Sequence, residues 1–134
     1  MAADLGNPVR LDDRHAATLH LASLPISTLV IVKDHGEHHH DPCFSFHSCQ
    51  ALAAIHGNLA AVRAEAGCIQ YTPAVDIDTG MPAQETDDSI ITMIETWEDL
   101  SALKAHSTAP HMLTYRESVK DIVEKVTLKV LEDA

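Results

Sequence analysis

The stretch ITMIETWEDLSALKAHSTAPH, residues 91–111, contains the change of period that decides the fold. Ile91, Met93, Glu95 and Trp97 alternate with Ile90, Thr92, Ile94 and Thr96, so an extended chain puts the two sets on opposite, largely apolar faces. Asp99 then stands where an N-cap belongs, and Leu103 and His106 are three apart, on one side of the helix it opens. The spacing predicts a strand buried on both faces, running directly into a helix that turns His106 inward, close to the only tryptophan. Pro110, preceded by Ser107 and Thr108, ends that helix and suits the first turn of another, with His111 at its start.

Upstream, TLVIVK at residues 28–33 is a β-branched run with apolar residues on both sides, the first expected strand. The charged DHGEHHHDPC segment that follows reads as a loop. From Ser48, a good cap, Leu52, Ile55, Leu59, Val62 and Ala66 recur at three and four, which predicts an amphipathic helix closed by Gly67. Gly57 within it costs about 1 kcal/mol relative to alanine unless close packing compensates. Cys68 to Ile77 is the second strand, and Pro73 in it implies a bulge or a sheet edge. Ser89 to Trp97 is the third. Met112, Tyr115, Val119 and Ile122 mark the inner stripe of the later helix, and Lys125 to Leu131 alternates as a fourth strand.

The resulting order, β-α-β-β-α-β, predicts an α+β, ferredoxin-like domain with two helices on one face of a four-stranded antiparallel sheet. The helices can cover only one face. Strands apolar on both faces need a second cover, and another copy of the sheet is the simplest, so a homodimer is expected. Residues 25–134 form this domain. Residues 1–24, punctuated by Pro8 and bounded by Pro25, form an N-terminal extension that reads equally well as a helical arm or as disordered chain.

E-T-W-E-D-L-S-A-L-K-A-H-S-T-A-P-H at residues 95–111, together with E-A-G-C at 65–68, resembles the antibiotic biosynthesis monooxygenase (ABM) domain. The resemblance spans about residues 28–131, with Ala66 where the family usually has proline. It implies a dimeric ferredoxin-like α+β barrel. It is less specific for activity, because the family includes quinol oxygenases, haem-degrading enzymes, an isomerase and members with no known reaction. In the haem-degrading relatives a histidine on the later helix ligates iron. Here that helix reads M-L-T-Y-R-E-S-V after His111, which argues against haem.

A chain of 134 residues fits one domain. A formal charge of −11 argues against nucleic acid or an anionic membrane as partner. Acidic residues near the start are unlike a signal peptide, and no run approaches the ~20 apolar residues of a membrane span. With three cysteines and no dense framework, the expected compartment is the reducing cytoplasm, with Cys68 a small core residue.

The glycines are isolated at 6, 36, 57, 67 and 80, without a dinucleotide or phosphate loop, and no nucleophile elbow is present. An oxygenase built on this chain is therefore expected to work with no cofactor, on a quinol or polyphenol-like aromatic substrate whose own anion reduces dioxygen. His106 is the candidate base and Trp97 the candidate aromatic wall, with Glu95, His111 and Tyr115 as candidate substrate contacts. Against this stands a plain core histidine hydrogen-bonded beside a tryptophan. The alternative function is a non-catalytic dimeric protein of the same fold that binds a small molecule or a metal. His35, His38, His39, His40, Asp41, Cys43, His47 and Cys49 supply metal donors, but their spacing matches no standard zinc signature, so a solvated loop and no built metal site is expected. A cavity of a few hundred Å³ near Trp97 separates an enzyme or binder from a scaffold.

Overall fold

The computed structural model describes residues 25–34 and 46–134; of Phe46 and His47 it describes the backbone. The expected extension at 1–24 and most of the histidine-rich loop lie outside the described residues.

Four strands, β1 (Ile26–Asp34), β2 (Cys68–Val75), β3 (Ile90–Trp97) and β4 (Val123–Leu131), form one sheet in the order β2-β3-β1-β4, with every pairing antiparallel. Among the described residues three helices, α1 (Phe46–Arg63), α2 (Leu100–Thr108) and α3 (Pro110–Val119), join the sheet in an α+β ferredoxin-like fold. None of the described helices is long and apolar enough to cross a membrane.

The register sorts the two faces. Thr28, Val30 and Val32 of β1 sit opposite Glu95, Met93 and Ile91 of β3, and this set faces the helices, buried except for the half-buried Val30. Leu29, Ile31 and Lys33 sit opposite Ile94, Thr92 and Ile90 on the other face, where the apolar groups are only partly covered. The core between sheet and helices gathers Val32, Ile55, Val62, Ile91, Met93 and Trp97.

Several boundaries differ from the sequence expectations for physical reasons. α1 begins at Phe46, so Ser48 is not its cap. The Ser48 hydroxyl is buried, donating to the Asp34 carboxylate at the end of β1 and reaching the Asp88 carbonyl at 3.2 Å. The buried stripe of α1 accordingly runs Ser48, Ala51, Ile55, Val62, with Leu52 and Leu59 half-covered beside it, while Ala66 is exposed beyond the helix. β2 is indeed an edge strand, but its register shift falls between Cys68 and Gln70, leaving Pro73 paired opposite Met93. The break between α2 and α3 is at Ala109, whose extended backbone precedes Pro110 at the first turn of α3.

Candidate active site

The site starts from a turn. After α1 the chain closes on itself through Glu65 N–H to Val62 O (3.0 Å) and Cys68 N–H to Glu65 O (3.2 Å), with Gly67 at φ 82°. Glu98 N–H then donates to Gly67 O at 2.8 Å, docking this turn on the junction between β3 and α2. A Cβ on Gly67 would lie 2.5 Å from the Ala102 Cβ, so glycine is required here by backbone conformation and by close approach together. The turn presents Glu65 to the helices that follow.

α2 starts with Asp99, whose carboxylate accepts from Ala102 N–H at 2.8 Å, as a cap should. Leu103 and His106 are its buried residues. His106 Nδ1 lies 2.9 Å from Glu65 Oε1, and His111 Nε2, from the first turn of α3, lies 2.7 Å from the same oxygen. A carboxylate can only accept, so each histidine donates from the nitrogen facing it. The Nδ1 of His106 is thus occupied, so in the neutral ring the lone pair is on Nε2.

The His106 ring is held by its neighbours. Trp97 lies with its ring centroid 4.6 Å away and tilted 33°, and Tyr71 meets the ring edge-on at 5.5 Å. Trp97 Nε1–H donates to Glu95 Oε2 at 3.0 Å, a bond possible because the two are neighbours on one strand face.

Beside this cluster, between the sheet and α2–α3, is a cavity of about 320 Å³. Glu95, His106, Tyr71, Tyr115 and Ser107 supply polar lining, Val30, Met93 and Met112 some of its apolar walls, and the exposed Arg116 and Lys120 also border it. Arg116 donates to the Ser107 carbonyl at 2.7 Å, and Lys120 pairs with Glu117. Burial raises the Tyr115 phenol, with Arg116 opposing, and raises the Tyr71 phenol further, with Glu95 next in effect. Both phenols stay protonated well above neutral pH, so each O–H is able to donate a hydrogen bond. Burial also raises the Glu95 carboxyl, while the Trp97 N–H bond and His106 lower it and Glu65 raises it again.

Of the residues singled out in the sequence, His106, Glu95 and Tyr115 line the cavity together. Trp97 does not: at 0% exposure it lies behind His106 and Glu95, so it has no surface on which a ligand ring could stack. His111 is on the far side of Glu65, bordering a separate depression between α1 and α3. Sequence reasoning gave no role to Glu65 or Tyr71. The available signal was the E of E-A-G-C, an acidic side chain fixed by a glycine turn. Cys49 is exposed on α1, and the other candidate metal donors of the histidine-rich segment lie outside the described residues or have no described side chain.

The profile of the antibiotic biosynthesis monooxygenase family matches residues 47–118. The chain is 40% identical over 68 residues to a protein of Escherichia coli K12 named "Probable quinol monooxygenase YgiN", a match spanning 51% of this chain and 65% of that one. Among solved structures it superposes on PA3566 from Pseudomonas aeruginosa with TM-score 0.64 at 24% identity, covering 84% of this chain and 97% of that one. It superposes on SnoaB from Streptomyces nogalater, described as a cofactor-independent oxygenase, with TM-score 0.62 at 12% identity over 84% and 95% of the two chains. These structural likenesses speak to fold.

Proposed function

Because this chain belongs to the antibiotic biosynthesis monooxygenase family, we propose that it is a monooxygenase oxidising a quinol or related polyphenol with dioxygen and no organic cofactor. The observation that carries the reading is the Glu65 carboxylate on His106 Nδ1 at the wall of the cavity. That bond fixes the tautomer and ring orientation, leaving Nε2 as a base for a substrate bound there. The names of YgiN and SnoaB point the same way, and an open volume of about 320 Å³ is more than a scaffold needs.

In the proposed reaction His106 Nε2 takes a phenolic proton, and the walls desolvate the resulting phenolate. The phenolate passes one electron to dioxygen. Semiquinone and superoxide then combine at a ring carbon, and loss of water from the peroxide leaves a hydroxylated quinone. One oxygen atom stays on the ring and the other leaves as water, so the quinol supplies all the electrons. Tyr71 and Tyr115, kept protonated by burial, donate hydrogen bonds to the developing oxyanion. Trp97 holds the His106 ring from behind, and His111 helps hold Glu65. The reading includes a cytoplasmic homodimer formed through the sheet face away from the helices.

The test is oxygen uptake by chelator-treated protein against a panel of hydroquinones. His106→Ala should lower the rate by about 10² or more with the fold intact, the usual worth of a positioned base. If the variant keeps full activity, or only its melting temperature falls, His106 is a core residue and the proposal fails.

A further inference from the structure

Glu65, His106 and His111 each offer one donor atom, and the three atoms all lie within 4.8 Å of one another. Two imidazoles and a carboxylate are a ligand set suited to a first-row divalent cation, and three protein ligands leave a fourth position for water. We propose that these side chains form a binding site for a zinc-type cation, and that filling it switches off the base at His106, a consequence that rests on the function proposed above.

The geometry is close to what an ion requires. Glu65 Oε1 stands 2.9 Å from His106 Nδ1 and 2.7 Å from His111 Nε2, against a tetrahedral edge of about 3.3 Å drawn with bonds of about 2.0–2.1 Å. Opening these two separations slightly and setting the two ring nitrogens, which lie within 4.8 Å of each other, at the same edge would admit the ion. The donors come from separate elements that are already fixed. Glu65 is set by the Gly67 turn, His106 by Trp97 and Tyr71, and His111 by the first turn of α3. The His111 side chain is 30% exposed while those of His106 and Glu65 are 6% and 14% exposed, so entry is past His111 into a shielded site. The formal charge of −11 favours a cation over the whole surface.

Coordination uses a lone pair, and this couples the site to the cavity. A metal on Nδ1 of His106 moves the ring proton to Nε2, converting that nitrogen from acceptor to donor. Coordination at Nε2 of His111 likewise moves its ring proton to Nδ1. The ion and the base compete for one imidazole.

Zinc alone is the probe, titrated by calorimetry into chelator-treated full-length protein, with cobalt absorption reporting the geometry. One ion per chain is expected. Glu65→Gln and His111→Ala, each checked for folding by circular dichroism, should weaken binding more than the 10–100-fold typical of losing an outer partner. His111→Cys, which restores a donor, should recover it. Replacing His35, His38, His39 and His40 together by alanine should leave the ion at this site. No binding by the wild type, or binding lost with those four histidines and indifferent to His111→Ala, overturns the site. The switch is read without turnover, by nitrogen NMR of His106. Its proton should move from Nδ1 to Nε2 on zinc addition, and a ring that keeps Nδ1–H with zinc bound overturns the switch. Loss of quinol oxidation in metal-free protein would count against the proposed function and leave the cation site standing.

Discussion

One carboxylate decides which nitrogen of His106 is available, and a second, Glu95, carries the pH dependence. Glu95 is held above its ordinary 4.5, first by burial. A raised acid binds its proton more tightly in the folded state, so its contribution to stability is fully present below the unfolded value and is lost as pH rises through the folded one. Glu95→Gln removes that loss and still offers Trp97 Nε1–H an oxygen. The variant should gain on the wild type in thermal midpoint as pH rises from the ordinary value of 4.5 through the raised folded one. A difference that does not change with pH, or that turns against the variant as pH rises, would contradict this. At this scale the sequence was only partly legible. The nearness of Trp97 and His106 follows from a short strand-to-helix connection. Glu65 meets its partners across separations of 41 and 46 residues, which no local period records. Trp97 was correctly placed beside the histidine, but alternation along a strand gives a face and not depth, so its complete burial was not readable.

The turn between α1 and β2 makes the largest demand on a single residue type. Gly67→Ala forces a side chain into the left-handed region, at about 1–2 kcal/mol, and drives a methyl into Ala102 across a gap of 2.5 Å, where overpacking typically adds about 1–3 kcal/mol. A loss of about 2 kcal/mol or more is expected in denaturant unfolding, together with reduced oxygen uptake, since the same turn aims Glu65. Gly57 in α1 is the control. A Cβ there would meet nothing within 4 Å, so no packing offsets its helix cost and Gly57→Ala should stabilise by up to about 1 kcal/mol. Equal effects of the two substitutions would mean the turn is not under the constraint described. Gly67 was legible as a helix stop from its place after an apolar stripe. Its contact with α2 was not, because that contact exists only once β3 has carried the chain back. Ser48 shows the opposite error: a residue with good capping chemistry lies in the core, where its hydroxyl donates to the Asp34 carboxylate.

At the scale of the molecule, the helices leave apolar surface open on both faces of the sheet. On the cavity side, the edge strand β4 extends past them, with Val126 58% and Leu128 57% exposed. On the opposite sheet face, Ile94 is 38% exposed, and Leu29 and Ile31 are only half-covered. The alternation of β1 and β3 foretold this second face, and the register assigns to it the Ile90–Ile94 parity, with Trp97 on the helix side. A homodimer through that face is the expected assembly, and light scattering at micromolar concentration should return the mass of two chains; the mass of one chain would refute it. The substitution that probes it is Ile94→Asp. Position 94 sits between Leu29 and Thr72 in the ladder, so the new carboxylate would be at the centre of the sheet. In a dimer it is buried without a cation, and in a monomer it is surrounded by uncovered apolar surface, and both states are costly. The expected outcome is insoluble protein. A soluble, folded monomer would mean that the face tolerates water and that the second copy is not what covers it.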